Sequence, residues 1–584
     1  MAAAALRQQT LDSRTGADAR MAALDKLEEL VDDVVREKNR RRSNIALKRG
    51  VRHWRRGDIV KGGQWALKAT EADPENSKAF HVLAMALERM GHLHKALITY
   101  ERAFELDPED PELLINLGLT AWNLKYRDGA VKMFQLYIAA CPESPLGYNN
   151  LGSIQADLGE PGLAIEILRE ALMKMPEQAI LWNSLATVLA EEGRAGESLI
   201  FYEEAARLEP GFARAYHNLG YAYQHLFQYD KALAAYDKAL ELVIDPNERI
   251  ETTHSRSICL IAMGRLEEGF REYEIRNNER FRCYFHHMID APRWRGEDVT
   301  GRKLLLVAEQ GLGDEIMFSN ILPDAQEAVG PGGKLQICVD PRMIPLYRRS
   351  FPKAEVGAYD DRVLMEMDGN KDLRLIPFAS GANKPDLWAP MGSALQYYRK
   401  SLADFPRKAF LVPDADRVAG FKARLAALPG KKVGVCWRSM LLDQKRNKHY
   451  ASRDFWGYVM RTPGITFVNL QYGDCAEEIA RFEKEFGVTL HQVEGLDLKN
   501  DIDGTAALCA ALDLVLSAPT ACAHTAASVG AETWLVVAGQ GWPQLGTSDY
   551  PWYPRARTFA NEKLLEWDQV MLRLAAELAA FAAK

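Results

Sequence analysis

Hydrophobic and small residues in the first half of the chain return with a period of 34 positions. Prolines stand at 74, 108, 142, 176 and 210. Ala96, Ala130, Ala164 and Ala232 form one column, with Ser198 in the remaining phase. Tyr100, Phe134, Leu168, Tyr202 and Tyr236 form a second. Ala171, Ala205 and Ala239 keep the same phase, as do Gly118, Gly152 and Gly220. The pattern predicts paired helices. Small residues let the two helices approach, large ones fill the gap beside them, and proline stops the second helix. About six such units fit between residues 46 and 280. Pro246 falls 36 positions after Pro210, and Ile250–Tyr273 reads as a slightly irregular last unit.

A helix–turn–helix period of 34 resembles the tetratricopeptide repeat, which implies an α-solenoid with a concave binding face. Asn116, Asn150 and Asn218 share one position on the first helix of their repeats, with Ser184 in the missing phase. A carboxamide donates and accepts at once, so a ladder of them suits the backbone of an extended peptide. The same amides are equally suited to bonding neighbouring repeats. The row is similar to the asparagine ladder of O-linked GlcNAc transferase, and that resemblance implies an acceptor-binding role for Asn116, Asn150 and Asn218. Within residues 1–45, Leu24, Leu27, Val31, Val34 and Val35 approximate one helix face ahead of the basic run Arg36–Arg42. This reads as an amphipathic capping helix with a solvated charged end.

The pattern changes after Pro292-Arg293-Trp294. Apolar runs at 303–308, 335–339 and 373–376, then at 433–437, 465–470, 489–493, 512–517 and 533–537, alternate with segments long enough for helices. Such alternation predicts parallel sheets. Two series joined near Pro413–Gly430 predict two facing Rossmann-like domains, 300–412 and 413–584, after a linker at 281–299. Ligands in such sheets bind outside the carboxyl ends of the strands.

Three strand exits can carry chemistry. In Gly311-Leu-Gly313-Asp314-Glu315 the glycines admit a ligand close to the backbone, and Asp314 stands at a helix N-terminus that keeps it ionised or simply capped. Trp437-Arg438-Ser439 is followed by Lys445, Arg446, Lys448, His449 and Tyr450, cations suited to a phosphate or to a solvated loop. In Ser517-Ala-Pro-Thr520-Ala521-Cys-Ala-His524 a small-residue turn opens a helix whose N–H groups and Thr520 hydroxyl can hold an anion, with His524 as a further donor or as a core residue. Walker A, HExxH and GxSxG patterns are absent from the sequence. Asp501-Ile-Asp503 has the spacing of a metal-binding DxD but precedes a helix, so no metal is assigned to it.

These segments resemble the GT-B glycosyltransferases, especially their heptosyltransferase-like branch. Phe467–Asp474 and Pro551-Trp-Tyr-Pro554 resemble a bacterial group that fuses tetratricopeptide repeats to this fold, similar in length and order to FlmG-type flagellin glycosyltransferases. The resemblance implies a metal-independent, inverting transfer with Asp314 as base. Gly311, Gly313, Arg438, Lys448, Thr520, Ala521 and His524 would then bind the donor. Glu315 and Glu309 are next in line as base. Pro519 stands where heptosyltransferases carry an acidic residue, which puts a heptose donor in doubt. The implied donor is a CMP-linked nonulosonic acid such as pseudaminic acid, with UDP-GlcNAc second, as a substrate and not a cofactor. The implied acceptor is flagellin, recruited by the repeats. The rival is a tetratricopeptide adaptor beside a degenerate transferase domain.

Composition narrows the class further. The chain has 584 residues, 47% hydrophobic and 26% charged, with a net charge of −7. That acidity argues against a nucleic-acid partner. No apolar run reaches the length of a membrane span, and the first ten residues lack a signal-peptide core. Eight scattered cysteines without CxxC pairs point to free thiols, and the expectation is a cytoplasmic protein.

Overall fold

The computed structural model describes residues 21, 26, 32–281, 284–309, 311–366, 369–440, 449–561 and 566–584. It divides into two compact units, residues 1–184 with 365–370, and residues 185–364 with 371–584.

The repeat half is made of paired helices. Second helices end at Ala72, Leu106, Ala140, Lys174 and Leu208, each two residues before a proline of the series. The glycine column works by contact. A Cβ on Gly118 would lie 2.6 Å from Phe134 Cε1, one on Gly152 2.8 Å from Leu168 Cγ, and one on Gly220 2.8 Å from Tyr236 Cδ1. In these three repeats the large residue of the second helix therefore occupies the space a side chain on the first would need. Helical residues 32–55 pair with Ile59–Ala72, so the boundary expected at 45/46 falls inside a helix, and the described residues form seven pairs between 32 and 273 where about six were expected. Apolar exposure along residues 32–45 is high, with Val34 68% and Ile45 56% accessible.

The second unit holds the last repeats and the α/β half. Strands β2 (Lys303–Val307), β3 (Lys334–Val339), β4 (Glu355–Ala358) and β7 (Leu387–Pro390) form a parallel sheet in the order β4-β3-β2-β7. Strands β8 (Lys431–Cys436), β9 (Ile465–Asn469), β10 (Leu490–His491), β11 (Leu514–Ser517), β12 (Thr533–Val537) and β13 (Ala556–Ala560) form a second, in the order β10-β9-β8-β11-β12-β13. The order reverses beside the first strand of each sheet, between β2 and β7 and between β8 and β11. Those are the switch points where doubly wound sheets open a crevice at their carboxyl ends. The run at 373–376 falls at the end of β6 (Gly369–Leu375), which lies outside both sheets, in a small three-stranded sheet with β1 (His286–Met288) and β5 (Asp360–Glu366). Segment 281–299, expected as a linker, thus contributes a strand.

One core joins these parts. Ile261, Leu266, Phe270 and Tyr273 of the last repeat pack in the same buried cluster as Leu304 and Leu306 of β2, Ala523 and Ala527, and Leu545 to Tyr553. The last repeat is therefore built into the α/β half.

The glycine contacts predict an inversion of sign. Alanine in place of a helical glycine ordinarily stabilises by about 0.5–1 kcal/mol. Gly196→Ala, where nothing lies within 4 Å, should do so, whereas Gly220→Ala should destabilise by about 1–3 kcal/mol through overpacking. Thermal unfolding of the two variants checks both signs.

Candidate functional site

The carboxyl end of β2 leads into Glu309, then Gly311 caps the helix Leu312–Phe318. Thr520, past the end of β11, caps the helix Ala521–Ser528 without using its hydroxyl as a cap. These two helix starts face one another. A Cβ on Gly313 would sit 3.1 Å from His524 Cδ2 and 3.7 Å from the Ala521 amide nitrogen. A side chain at Gly313 would press on the His524 ring, and the closeness of Gly313 to the Ala521 amide puts the starts of the two helices side by side, an arrangement suited to an anion. The Thr520 hydroxyl lies 3.4 Å from Ser517 Oγ and 3.5 Å from Cys436 Sγ.

Three acids stand within seven residues, each in a different state. Glu309 is buried and bound bidentately by Arg276, at 2.6 and 3.1 Å, and accepts the Gly392 amide at 2.8 Å. Glu315 is fully buried and accepts from the Tyr359 hydroxyl at 2.7 Å and the Asp340 amide at 3.3 Å. Burial pushes its carboxyl up to about 8, against the lowering effect of those bonds. Asp314 has no hydrogen-bond partner among the described residues. Burial, reinforced by the charge of Glu309, raises its carboxyl to about 6. Tyr550 and Tyr553 lie within its electrostatic reach. Glu309 and Glu315 are thus held by other groups, and Asp314 remains the acid available to a ligand.

Arg438 is engaged within the protein. Arg438 grips Glu478 through Nε at 2.8 Å and Nη2 at 2.7 Å, and donates to the Ser439 and Asp474 carbonyls. Four of its five N–H groups are engaged within the protein, so a donor phosphate would have to displace Glu478. Lys448, with Lys445 and Arg446, lies outside the described residues. Asp501 caps the helix Ile502–Ala511 and pairs with Arg417, while Asp503 pairs with Arg349. Both carboxylates of the DxD are structural.

The asparagine row bonds within the array. Asn116 Nδ2 lies 3.1 Å from His81 Nε2 of the preceding repeat, Asn150 accepts from Asn149 at 3.0 Å, and Asn218 reaches Thr187 at 3.5 Å. His217 likewise meets Thr252 of the next repeat at 2.9 Å. Asn116, Asn218 and His217 thus bond across neighbouring repeats, one of the two uses the sequence left open, whereas Asn150 bonds only its neighbour on the same helix. The second unit holds a cavity of about 530 Å³ lined by Arg214, His217, Asn218, Tyr221, Glu251 and Thr252, with Phe281 and His449 among its other lining residues. Burial and then Arg214 lower the His217 imidazole to about 4. His449 belongs to the exit of β8, with its ring 6.3 Å from that of His225. The same repeats touch the exit of β12, where Tyr229 donates to the Gln540 carbonyl and the Phe227 ring occupies the space a side chain on Gly539 would need.

Three tetratricopeptide repeat models match residues 77–120, 149–211 and 213–243. The repeats are tetratricopeptide repeats. The chain is 41% identical over 389 residues to Protein FlbA of Caulobacter vibrioides, a match covering 65% of this chain and 64% of that protein's length. Among solved structures it is similar to a tetratricopeptide repeat protein of Parabacteroides merdae, with 16% identity, 40% of this chain, 91% of that one and a TM-score of 0.36. A thermophilic tetratricopeptide protein of Thermus thermophilus gives 26% identity, 31% and 98% coverage and a TM-score of 0.28. Concave faces of tetratricopeptide arrays bind other polypeptides. No helix among the described residues is long and apolar enough to cross a membrane.

Sequence reasoning missed Arg276, Tyr550 and Tyr553. Tyr553 lies within the Pro551-Trp-Tyr-Pro554 motif that carried part of the resemblance and Tyr550 immediately precedes it, whereas Arg276 sits in an ordinary charged stretch at the end of the last tetratricopeptide repeat and gave no signal. Its importance can be measured. Arg276→Ala should destabilise the protein by about 3–5 kcal/mol because it strands a buried carboxylate, and replacing both Arg276 and Glu309 by Met should recover most of that loss. Urea unfolding followed by tryptophan fluorescence reads both.

Proposed function

We propose that this chain is an inverting GT-B protein O-glycosyltransferase that moves a sugar from a nucleotide donor to a Ser or Thr hydroxyl. The observation that carries this reading is Asp314, the acid without a partner at an anion-suited junction between two doubly wound sheets. An acceptor hydroxyl needs a base, and a carboxyl near 6 is ionised at neutral pH yet basic enough to take a proton. The departing nucleotide phosphate needs positive potential as the glycosidic bond breaks, which the amides at Gly313 and Ala521 and the imidazole of His524 would supply. Support for a protein acceptor comes from the tetratricopeptide repeats, whose cavity has His449, on the exit of β8, among its lining residues. Flagellin as that acceptor, and a CMP-linked nonulosonic acid such as pseudaminic acid as donor ahead of UDP-GlcNAc, rest on the family resemblance. The adaptor reading requires the junction to be empty of function, and the partnerless Asp314 speaks against it.

The first test is a thermal-shift screen of the full chain with CMP, UDP, GDP and ADP. A nucleotide at 100 times its Kd should stabilise by about 2.7 kcal/mol, and indifference to all four would favour the adaptor.

The second is pH dependence. Transfer should rise about tenfold per pH unit up to about 6 and level off above it. Asp314→Asn should abolish transfer and spare nucleotide binding. Because folding raises this carboxyl, ionised Asp314 costs stability as pH climbs from its ordinary value of 3.8 through about 6. The Asn variant should therefore melt higher than the parent above pH 6, with the gap closing toward pH 4. A variant that keeps transfer, or melts lower at neutral pH, would remove Asp314 from the role of base.

A further inference from the structure

His524 is 6% exposed, and among the described residues the one hydrogen bond of its ring joins Nδ1 to the Tyr553 hydroxyl at 2.7 Å. The hydroxyl of Tyr553, itself 2% exposed, has no other partner among the described residues. Two arrangements of the proton are possible. If Nδ1 carried it, the phenolic hydrogen of Tyr553 would be buried without an acceptor, which costs about 1–3 kcal/mol. If Tyr553 donates, Nδ1 accepts and the ring proton resides on Nε2. The second satisfies every buried group on that side. Nε2 then points an N–H toward the Gly313 turn, 3.7 Å from where a Cβ would stand there, and it has no protein acceptor among the described residues. Tyr553 is held in turn by Tyr550, at 6.2 Å and nearly parallel, and by Phe410, stacked at 6.0 Å, so its hydroxyl cannot swing away.

We propose that Tyr553 is a positioning residue that locks His524 in its Nε2–H tautomer, completing a hole for the donor phosphate with the amides at Gly313 and Ala521. The proposal rests on the transferase reading and adds the residue that sets the donor's polarity. Burial lowers the imidazole to about 4, so the group donates as an uncharged ring throughout the neutral range. A hydrogen bond to the leaving phosphate then forms without a proton being transferred, and Asp314 alone handles the acceptor's proton.

The test uses the full chain labelled with ¹⁵N-histidine, with the His524 signals assigned by comparison with His524→Gln. Long-range proton–nitrogen spectra should show Nδ1 unprotonated and Nε2 protonated, unchanged between pH 6 and 8. Tyr553→Phe, which removes one oxygen and leaves the ring, should move both nitrogens toward the averaged tautomer pattern. The same variant and His524→Gln should each weaken binding of pyrophosphate by about tenfold. A wild-type spectrum with the proton on Nδ1 would overturn the proposal whatever the variants do, so a poorly folded Tyr553→Phe does not obstruct it. Nucleotide binding that is indifferent to Tyr553→Phe would keep the transferase reading and overturn the hole. Pyrophosphate binding that needs both residues, with no nucleotide bound, would keep the hole and overturn the transferase reading.

Discussion

The buried pair between Arg276 and Glu309 is the constraint on which the α/β half depends. Arg276 closes the last tetratricopeptide repeat, and Glu309 leaves the carboxyl end of β2 five residues ahead of Asp314. Desolvating two such groups is expensive and is offset only by full satisfaction of their hydrogen bonds. Here the Gly392 amide, the Tyr273 carbonyl and Ser393 Oγ complete the set. The pair therefore fixes register more than it adds stability. It ties the residue that leaves β2 to the end of the last repeat, five residues ahead of Asp314.

The neighbourhood of Asp314 shows how one stretch of chain assigns different chemistry to similar side chains. Glu309 is paired with Arg276, Glu315 is bonded to Tyr359, and Asp314 is left with neither kind of partner among the described residues. The nearby charge of Glu309 and the loss of water act on Asp314 in the same direction, toward a stronger base. A cation beside Asp314 would have made it a better-behaved surface acid and a poorer proton acceptor. The separation of roles follows from which way each side chain leaves the turn.

Much of this was legible in the chain itself. The proline and glycine columns marked helix ends and helix contacts because each is a steric effect that acts within one repeat. Most strands were legible because a parallel strand buried on both faces must be a run of apolar residues. The short runs β4, β7 and β13 escaped notice, since a few apolar residues look alike in helix and strand. Arg438 misled for a different reason: a cation at a strand exit says nothing about the glutamate 40 positions away that claims it. The asparagine row was ambiguous in the same way, because an amide bonds a neighbour and a ligand by identical geometry.

Three repeats carry both halves of a glycine-to-large-residue contact, Gly118 with Phe134, Gly152 with Leu168 and Gly220 with Tyr236, and Ala84 and Ala186 keep the small residue in two more. A duplicated or deleted copy thus arrives already fitted to itself. The last copies are different, since Phe227, Tyr229 and Arg276 are matched to Gly539, Gln540 and Glu309 and to nothing periodic. A repeat added or removed away from that end would leave these contacts untouched, whereas one added or removed at the end would break them.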